Sequence, residues 1–591
     1  MTEAAYSHDF LARYDEELRF LREEGQRFAA AHPQVAGELG LSTRGAVDPF
    51  IERLLEGTAF LTTRVHQRLE LEQATFAAQM LSRLAPHWDT PTPSMARVVL
   101  EPDMASPLVR QAPILPRGAK LWSRVGTHAG RAVTFVSGSD VRLWPIEVES
   151  AVHSSTAPPW LSQDMQLPEG AVSFLHLRIG MQQLSPDLAA QLSNLPLHLV
   201  GSTVAAHELL AALTTGHVVT LASSMEGGGV HRTREPPRIP GLGDEHLLPC
   251  ALGELPGTRL LREYFAHPRL FLGLEVPLPK AACIAAAGGV LEIAIALSVA
   301  TSTATRSITA SDMALCVVPV VNLYAQHCQP VAIDPSCNEY PLTVDRVRPR
   351  AHAVHHLANV TVVDAGGVSH ACPAVHGIRP DGRYVHAVRR RDDDPGMVML
   401  SLGVPAGTAV QEPLRVAMVE AAVCDRDLDP AQLMEGVLAL DRALPTRSIR
   451  FAEAPSVMRA VPGKKQAWNA LSLLAANPLR LRDSSQCTAA VQAWLSCLAS
   501  EDDPSDIRRI QSLSSLAVSF SFKRRPGPGP LTWLRRVHLA LDVDERCHAD
   551  GGAVLFGYLV RRALDEYLDI NEISALTLRL NGRLSIEEAR G

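Results

Sequence analysis

Three groups of acidic and histidine side chains have types and spacings that could support chemistry. The first lies in DRDLDPAQLMEG, where Asp425, Asp427 and Asp429 alternate as in a calcium-binding loop. Such a loop requires glycine at its sixth position and glutamate at its twelfth, but this sequence has Pro430 and Gly436 there. We therefore interpret the stretch as a polar loop.

The second group is the segment HAVHH, which contains His352, His355 and His356. If the segment were helical, His352 and His356 would share one face, a spacing that suits two zinc ligands. The surrounding sequence is typical of a loop, and no third ligand is evident. The sequence therefore does not favour a zinc site.

The third group follows the alternating segment VHLALDVD and consists of Asp542, Asp544, His548 and Asp550. Two carboxylates about 5–10 Å apart can act as acid and base in hydrolysis. Nothing in the sequence marks Asp542 or Asp544 for a raised pKa, and a turn at a strand end explains both residues. A hydrolase site remains an alternative that the sequence does not favour.

The rest of the sequence excludes several other classes of protein. It contains no phosphate-binding P-loop, dinucleotide-binding glycine motif, nucleophile elbow or HExxH motif. Its net charge is -7, which argues against nucleic acid as the main partner. The ten cysteines form no CxxC pair and are typical of reduced thiols in a cytoplasmic protein.

Two segments bear on secretion and membranes. The N-terminal sequence MTEAAYSHDFLARYDEEL lacks the basic and apolar regions of a secretory signal. The most apolar window, residues 281–300, is long enough for a membrane span, but it contains Gly288, Gly289 and Glu292 and its second half alternates. We interpret it as a turn followed by a buried strand, and we expect no direct membrane insertion.

The elements that position these groups begin with amphipathic helices. Apolar residues recur with a helical period from Phe10 until Pro33 ends the pattern. A second helix is predicted from Asp48, a suitable N-cap, with Pro49 in its first turn. An unbroken helix over residues 48–85 would be about 55 Å long, which indicates either a break near residues 70–73 or a bundle with other chains. The pattern alone does not distinguish a helical lid from an element of assembly.

From Pro91 onward, short alternating runs separated by proline and glycine indicate β domains. We predict an α+β multidomain fold: an N-terminal long-helix bundle, mainly antiparallel β domains and a C-terminal α/β domain. The predicted domains are residues 1–90 (helical), 91–300 (β-rich), 301–450 (β-rich) and 451–591 (α+β).

Several blocks of sequence resemble one known family. The blocks YDEELRFLREEGQRFAAAHPQVAGELGL, DPFIERLLEGTAFLTTRVHQRLE and PHWDTPTPSMARV resemble the N-terminus of the TssF family (VasA, ImpG), baseplate subunits of the bacterial type VI secretion system. LLREYFAHPRLFLGLEV and VVPVVNLYAQHCQPVAID match farther along, whereas residues 214–249 and 349–405 match weakly. Asp425 stands where the family usually has asparagine.

The resemblance implies a structural protein without catalytic activity, cofactor or metal. In the family, two TssF copies join one TssG to form a wedge, and the N-terminal helices enter a bundle with TssG. The wedges surround the VgrG spike, connect to TssE and the sheath, and bind the TssK adaptor. We therefore expect a cytoplasmic protein that lies at the inner face of the cytoplasmic membrane when assembled through these partners, and that changes conformation when the sheath contracts.

Motif matching does not assign residues to these contacts. For the contact with TssG, the helical pattern indicates Tyr14, Leu18, Leu21, Phe28, Asp48, Pro49, Ile51, Leu54, Leu55, Leu61, Val65 and Leu69. Two other readings of the chain stay open on the residues alone. One is a β-rich hydrolase with a carboxylate site, and the other is a carbohydrate-binding β-sandwich with a helical dimerisation head.

Overall fold

The computed structural model describes residues 8–38, 49–124, 131–161, 168–224, 229–243, 246–250, 254–375, 383–391, 394, 396–405, 413–461, 467–468, 470–471, 484–500, 503–524, 533–569 and 572–588. The chain divides into two compact units. The first comprises Met1–Ser82 with Gly463–Leu471, and the second comprises Arg83–Pro462 with Ser472–Gly591. The finer division into four domains stays a prediction.

The described helices are α1 (His8–Ala31), α2 (Pro33–Glu38), α3 (Pro49–Leu84), α4 (Pro186–Ala189), α5 (Thr203–Thr215), α6 (Pro256–Ala266), α7 (Lys280–Ala285), α8 (Thr303–Arg306), α9 (Pro430–Glu435), α10 (Ser484–Leu498), α11 (Pro504–Gln511) and α12 (Ala553–Leu564). Proline stands at the first position of α2 and α3, where its missing N–H costs no hydrogen bond. Asp48, the predicted N-cap, lies outside the described residues.

Helix α3 is a single helix of 36 residues, about 54 Å long, without a break at residues 70–73. Helix α1 packs against it within the first unit. The Phe10 ring lies edge-on to the Phe60 ring, with the ring centroids 5.6 Å apart. Leu18, also on α1, is buried. Glu17 lies 2.9 Å from His66, and two oppositely charged residues, Arg22 and Glu52, form a further contact.

The described strands are β1 (Met95–Pro102), β2 (Ile114–Leu115), β3 (Lys120–Ser123), β4 (Val133–Ser137), β5 (Val141–Arg142), β6 (Glu147–Ser154), β7 (Ser173–Gly180), β8 (Asn194–Leu199), β9 (His217–Ser224), β10 (His231–Thr233), β11 (Gly273–Pro277), β12 (Val290–Leu297), β13 (Met313–Ala314), β14 (Val317–Val321), β15 (Tyr324–His327), β16 (Val331–Ala332), β17 (Tyr340–Pro341), β18 (His352–Asp364), β19 (Ser369–Ala371), β20 (Val385–Arg390), β21 (Val398–Gly403), β22 (Leu414–Asp425), β23 (Leu438–Leu440), β24 (Thr446–Phe451), β25 (Leu513–Arg524), β26 (Trp533–Val543), β27 (Glu572–Leu580) and β28 (Arg583–Glu588).

These strands form several sheets in the second unit. Two of the antiparallel sheets have the orders β23-β3-β4-β14-β1-β24 and β10-β9-β12-β7-β6. A third sheet has the order β15-β22-β18-β19, with β16 also paired to β22. Smaller sheets have the orders β11-β8-β13, β17-β21-β20 and β2-β5. The two sheets named first, the sheet β11-β8-β13 and helices α5, α6 and α12 contribute to one extended apolar core. The sheets β15-β22-β18-β19 and β17-β21-β20 share a separate apolar core.

The window considered as a membrane span forms α7, a turn at Gly288 with φ +82°, and β12. Strand β12 lies inside its sheet between β9 and β7, and both faces are buried. The buried Glu292 lies 2.6 Å from His176 on β7. The predicted buried strand is therefore confirmed. Within the described parts of the chain, no helix combines the length and apolar character needed to span a bilayer.

A buried ion pair joins two sheets of the second unit. Arg97 on β1 donates to both carboxylate oxygens of Glu453, at 3.0 and 2.6 Å. It also donates to the backbone oxygens of Leu199 and Leu272, each at 2.9 Å. His267 lies 3.0 Å from Glu453. Because Arg97 and Glu453 are almost wholly buried, each charge depends on the other for compensation.

The last sheet has the order β25-β26-β27-β28. Strands β26 and β27 are parallel and are connected through α12, whereas β27 and β28 form an antiparallel hairpin. Asn581 and Gly582 have φ of 50° and 76°, as a two-residue hairpin turn requires. Together with the N-terminal helices and the antiparallel sheets, this α/β region confirms the predicted α+β multidomain fold.

Candidate interaction surface on the N-terminal helices

The carboxylates of the stretch DRDLDPAQLMEG, which was interpreted as a polar loop, contact other parts of the chain. Asp425, fully buried at the end of β22, accepts hydrogen bonds from Asn322 at 2.8 Å, Tyr324 at 3.1 Å and Arg131 at 2.7 Å. Arg131 also donates to Asp427, at 2.9 Å. Asp429 is the N-cap of α9 and accepts from the backbone N–H groups of residues 431 and 432. The alternating carboxylates thus hold β22, its neighbours and a helix start in place.

The ionisation of Asp425 follows from these contacts. Burial alone would raise the pKa of this carboxyl group, but hydrogen bonds from His352 and Asn322 and the charge of Arg131 hold that pKa below its usual range. Asp425 is therefore a charged structural group at neutral pH.

The histidine segment is a strand, so the expectation of a loop around it was wrong. His352 lies on β18 with its Nδ1 3.2 Å from Asp425. His355 and His356 contact each other, with 2.9 Å between their Nδ1 atoms. Burial, the neighbouring His356 and two arginines lower the pKa of His355 well below its ordinary value, so this imidazole is neutral. In the part of the chain that the structure describes, no three His, Cys, Asp or Glu side chains are arranged to hold a metal.

The third acidic group lines an open surface cavity of about 540 Å³ formed by Ser514, Asp542, Asp544, Arg546, Asn581 and Gly582. Asp542 accepts from the backbone N–H of Gly582 at 3.1 Å, and Asp544 accepts two side-chain hydrogen bonds from Arg546, at 3.0 and 2.8 Å. These bonds lower the pKa of Asp544, whereas a general acid requires a raised pKa. The geometry therefore gives no support to acid–base catalysis by Asp542 and Asp544.

The remaining members of that group are structural. His548 lies 2.9 Å from the hydroxyl of Ser512, and burial lowers its pKa to about 4. Asp550 accepts from Arg509 at 3.2 Å. Arg509 in turn contacts the fully buried Asp506, so His548 and Asp550 belong to a network that joins α11 to the turn before α12.

Helix α3 presents two chemically different faces. Its inner face includes the buried Ala59 and Thr63 and the residues that contact α1. Its outer face has large apolar side chains that fall within about 100° around the helix axis. We call this outer set the α3 stripe: Phe50, Leu54, Leu61, Val65, Leu69 and Phe76. The exposed fraction of these side chains ranges from 49% for Leu69 to 82% for Phe50.

Such a stripe is unusual for the solvent-facing side of a helix, which normally carries polar residues. Burying one large apolar side chain contributes about 1.5–3 kcal/mol. The inner side of α3 packs against α1, and a further surface that covered the exposed stripe would gain this free energy. Contiguous exposed apolar surface of this kind marks sites of protein association.

The residues predicted to bind a partner differ in how far their side chains are exposed. Leu54, Leu61, Val65 and Leu69 belong to the α3 stripe, and Phe28 and Pro49 are also exposed. Tyr14, Leu21, Ile51 and Leu55 are half-buried, and Leu18 is buried. Phe50 and Phe76 were missed by the sequence reasoning. Phe50 lies four residues before Leu54, and Phe76 lies seven residues after Leu69. This helical spacing is the signal that places both on the stripe.

The geometry defines a class of protein. Long helices with an exposed apolar face precede sheets whose acidic clusters are satisfied by neighbouring side chains, which describes a structural subunit of a larger assembly. Residues 6–589 match the family described as "Type VI secretion system, TssF". The chain therefore belongs to the TssF family, and the predicted identity as a structural component of the type VI secretion baseplate is confirmed.

Individual relatives agree with this assignment. The chain is 29% identical to the type VI secretion system component TssF1 of Pseudomonas aeruginosa, over 97% of each chain. It is similar in fold to a chain of a TssK-TssF-TssG baseplate subcomplex solved by cryo-electron microscopy, with TM-score 0.70 and 20% identity over 92% of this chain and 98% of that one. A chain of a type VI baseplate complex matches with TM-score 0.56 and 19% identity over 98% of both.

Proposed function

We propose that this chain is a wedge subunit of the type VI baseplate and that the α3 stripe is its contact with TssG. The observation that carries the proposal is the division of α3 into a face used by α1 and an apolar face that is exposed. The solved subcomplex in which a TssF chain occurs together with TssG and TssK supports these two proteins as partners.

The further partners follow from the same proposal. A second copy of this chain would complete the wedge, TssK would lead towards the membrane complex, and TssE with the sheath and the VgrG spike would be reached through the assembled baseplate. The protein would then work in the cytoplasm at the inner face of the membrane, held there by partners. Its role would be mechanical, through interfaces that rearrange when the sheath contracts, with no catalysis and no cofactor.

A pair of glutamates on the stripe tests the contact with TssG. In Leu61→Glu with Val65→Glu, two charges replace apolar side chains that are 64% and 56% exposed, so the free chain loses little packing. We expect this variant to fail to co-purify with co-expressed TssG, because the complex would bury both unpaired carboxylates.

The matched control is Arg64→Glu with Gln67→Glu, which adds two glutamates to the same turns of α3 outside the stripe. Both variants should retain the helical circular dichroism of the native chain. Co-purification of TssG at native yield with the Leu61 and Val65 variant would refute the proposed contact, and equal loss with the control would show a general effect of charge.

A further inference from the structure

A second exposed apolar surface lies on the last sheet, far along the chain from the helices. Strands β25 and β26 pair so that Phe520, Phe522 and Arg524 lie opposite Val537, Arg535 and Trp533, on one face of the sheet. At the inner end of this face, Leu516, Leu539 and Leu541 belong to the core. At the outer end, Phe520, Phe522 and Trp533 are 47%, 72% and 62% exposed.

Strand β25 is also at the edge of its sheet. Alternate backbone N–H and C=O groups of an edge strand point away from its neighbour. Helix α10 uses the inner part of this edge, because Thr488 accepts from the N–H of Leu516 and Gln492 donates to the oxygen of Leu513, both at 2.8 Å. By the same alternation, the backbone N–H and C=O groups of Val518, Phe520 and Phe522 point away from β26, beyond the end of α10.

The charge around this surface is positive, although the whole chain has a net charge of -7. Lys523 and Arg524 end β25, and Arg535 and Arg536 lie near the start of β26. Arg535 stacks on Phe520, with its guanidinium 4.0 Å from the ring centroid, and pairs with Glu572 at 3.0 Å. Positive charge near a strand edge does not by itself explain three exposed aromatic rings, and such rings are typical of a binding surface.

We propose that residues 518–524 of β25 are a docking edge for an extended acidic segment of a partner protein. The segment adds to the sheet as a fifth strand, with backbone hydrogen bonds to β25. On the sheet face that holds Phe520, Phe522 and Arg524, its apolar side chains pack against the two rings, and a carboxylate farther along the same face lies near Arg524. Strand addition to an open sheet edge is a recurring mode of peptide recognition, in which backbone bonds give affinity and alternate side chains give specificity.

A labelled peptide of about nine residues is the probe for the full-length chain. In this valine–glutamate peptide, serine occupies every second position, and the positions between carry valines followed by glutamates, so that both lie on the same face of an added strand. We expect saturable binding by fluorescence anisotropy, weakened about tenfold between about 0.05 M and about 0.5 M salt because the charged contacts are screened. A valine–lysine peptide should not bind. A valine–glutamate peptide with alternate backbone nitrogens methylated keeps the side chains but cannot add as a strand, and it should lose binding as well.

Variants of the protein separate the apolar and charged contributions. Phe520→Ser with Phe522→Ser should abolish binding, whereas Val347→Ser with Val437→Ser, which changes two highly exposed valines elsewhere, should not alter it. Arg524→Glu should reverse the preference and favour the valine–lysine peptide. Each variant is compared with the native chain by its thermal unfolding midpoint, so that a misfolded protein is recognised.

Three results would overturn the proposal: no binding of the valine–glutamate peptide by the folded native chain, equal binding of the methylated peptide, or unchanged binding by the Phe520 and Phe522 variant. Concentration-dependent dimerisation that disappears in that same variant would instead identify a second copy as the occupant. None of these results depends on TssG, so they are distinct from a failure of the contact at α3.

Discussion

At the scale of single residues, Glu453 shows how a charge is used inside this fold. Burial alone would raise the pKa of its carboxyl group, but hydrogen bonds from His267 and Arg97 lower that pKa to about 2. The carboxylate is therefore ionised at neutral pH and compensates a guanidinium that has almost no contact with solvent. Removing only one member of such a pair leaves an uncompensated buried charge.

We predict that Glu453→Gln lowers the free energy of unfolding by about 3–5 kcal/mol at pH 7. The folded-state pKa lies below the unfolded value, so the carboxylate stabilises the native chain above about pH 4.5, and this stability is lost as the pH falls towards about 2. Urea unfolding at several pH values measures both effects. A difference between variant and native protein that stays constant from pH 6 to about pH 3 would contradict this account.

Single residues also show which contacts could be predicted from the sequence and which could not. Arg97 and Glu453 are separated by 356 positions, and no local pattern connects them. For His352 and His356, a spacing of four suggested a shared helix face, but tertiary pairing with β22 makes the segment a strand. Asp429 was predicted to lie in a polar loop, and its actual use as a helix cap was visible in the sequence, because Pro430 follows it.

At the scale of secondary structure elements, α6 and α12 pack closely at a glycine. A Cβ atom added at Gly257 would lie 2.6 Å from the Cα of Ala563, and backbone atoms cannot yield as a flexible side chain can. The buried aromatic rings of Tyr264 on α6 and Phe556 on α12, 6.0 Å apart, lie in the same helix pair. The spacing of these helices is thus set by the absence of a side chain.

We predict that Gly257→Ala lowers the free energy of unfolding by about 1–3 kcal/mol, because the two helices must separate. Gly57→Ala in α3 is the control, since a Cβ there meets nothing within 4 Å, and alanine should stabilise that helix by up to about 1 kcal/mol. Chemical denaturation of both variants measures the contrast. A Gly257 variant as stable as the native chain would show that the helices adjust without cost.

Many elements could be predicted from local patterns. The alternation in the second half of residues 281–300 predicted β12. The pair Asn581 and Gly582 is typical of the two-residue turn that joins β27 and β28. Pro49, which suits the first turn of a helix, predicted the start of α3. The sequence did not show whether that helix was broken. It also could not separate Leu54 from Leu55, which are neighbours and both apolar, although only the first is exposed. That distinction depends on where α1 packs.

At the scale of the whole molecule, the α3 stripe makes the chain dependent on partners. A subunit with six exposed large apolar side chains on one helix is stabilised by assembly and is prone to associate when alone. The proposed partners come from the family resemblance, whereas the exposed face is a property of the folded chain.

We predict that the chain expressed without TssG forms soluble oligomers or aggregates as its concentration increases. Leu61→Gln with Val65→Gln should reduce this association, because the stripe becomes polar while the inner face of α3 is unchanged. Light scattering over a concentration series measures the effect, and co-expression with TssG should suppress association of the native chain in the same way. Identical scattering by the native and variant chains would contradict the prediction.

The continuity of α3 has a geometric consequence. Phe50 and Phe76 are 26 residues apart on one continuous helix, so their Cα atoms lie about 39 Å apart along its axis. A single residue inserted between them would advance every later side chain by about 100° and shift it by about 1.5 Å. The apolar side chains before and after the insertion would then no longer lie on one face of the helix. The number of residues between Phe50 and Phe76 therefore matters to the outer face of α3 as much as the apolar character of its side chains does.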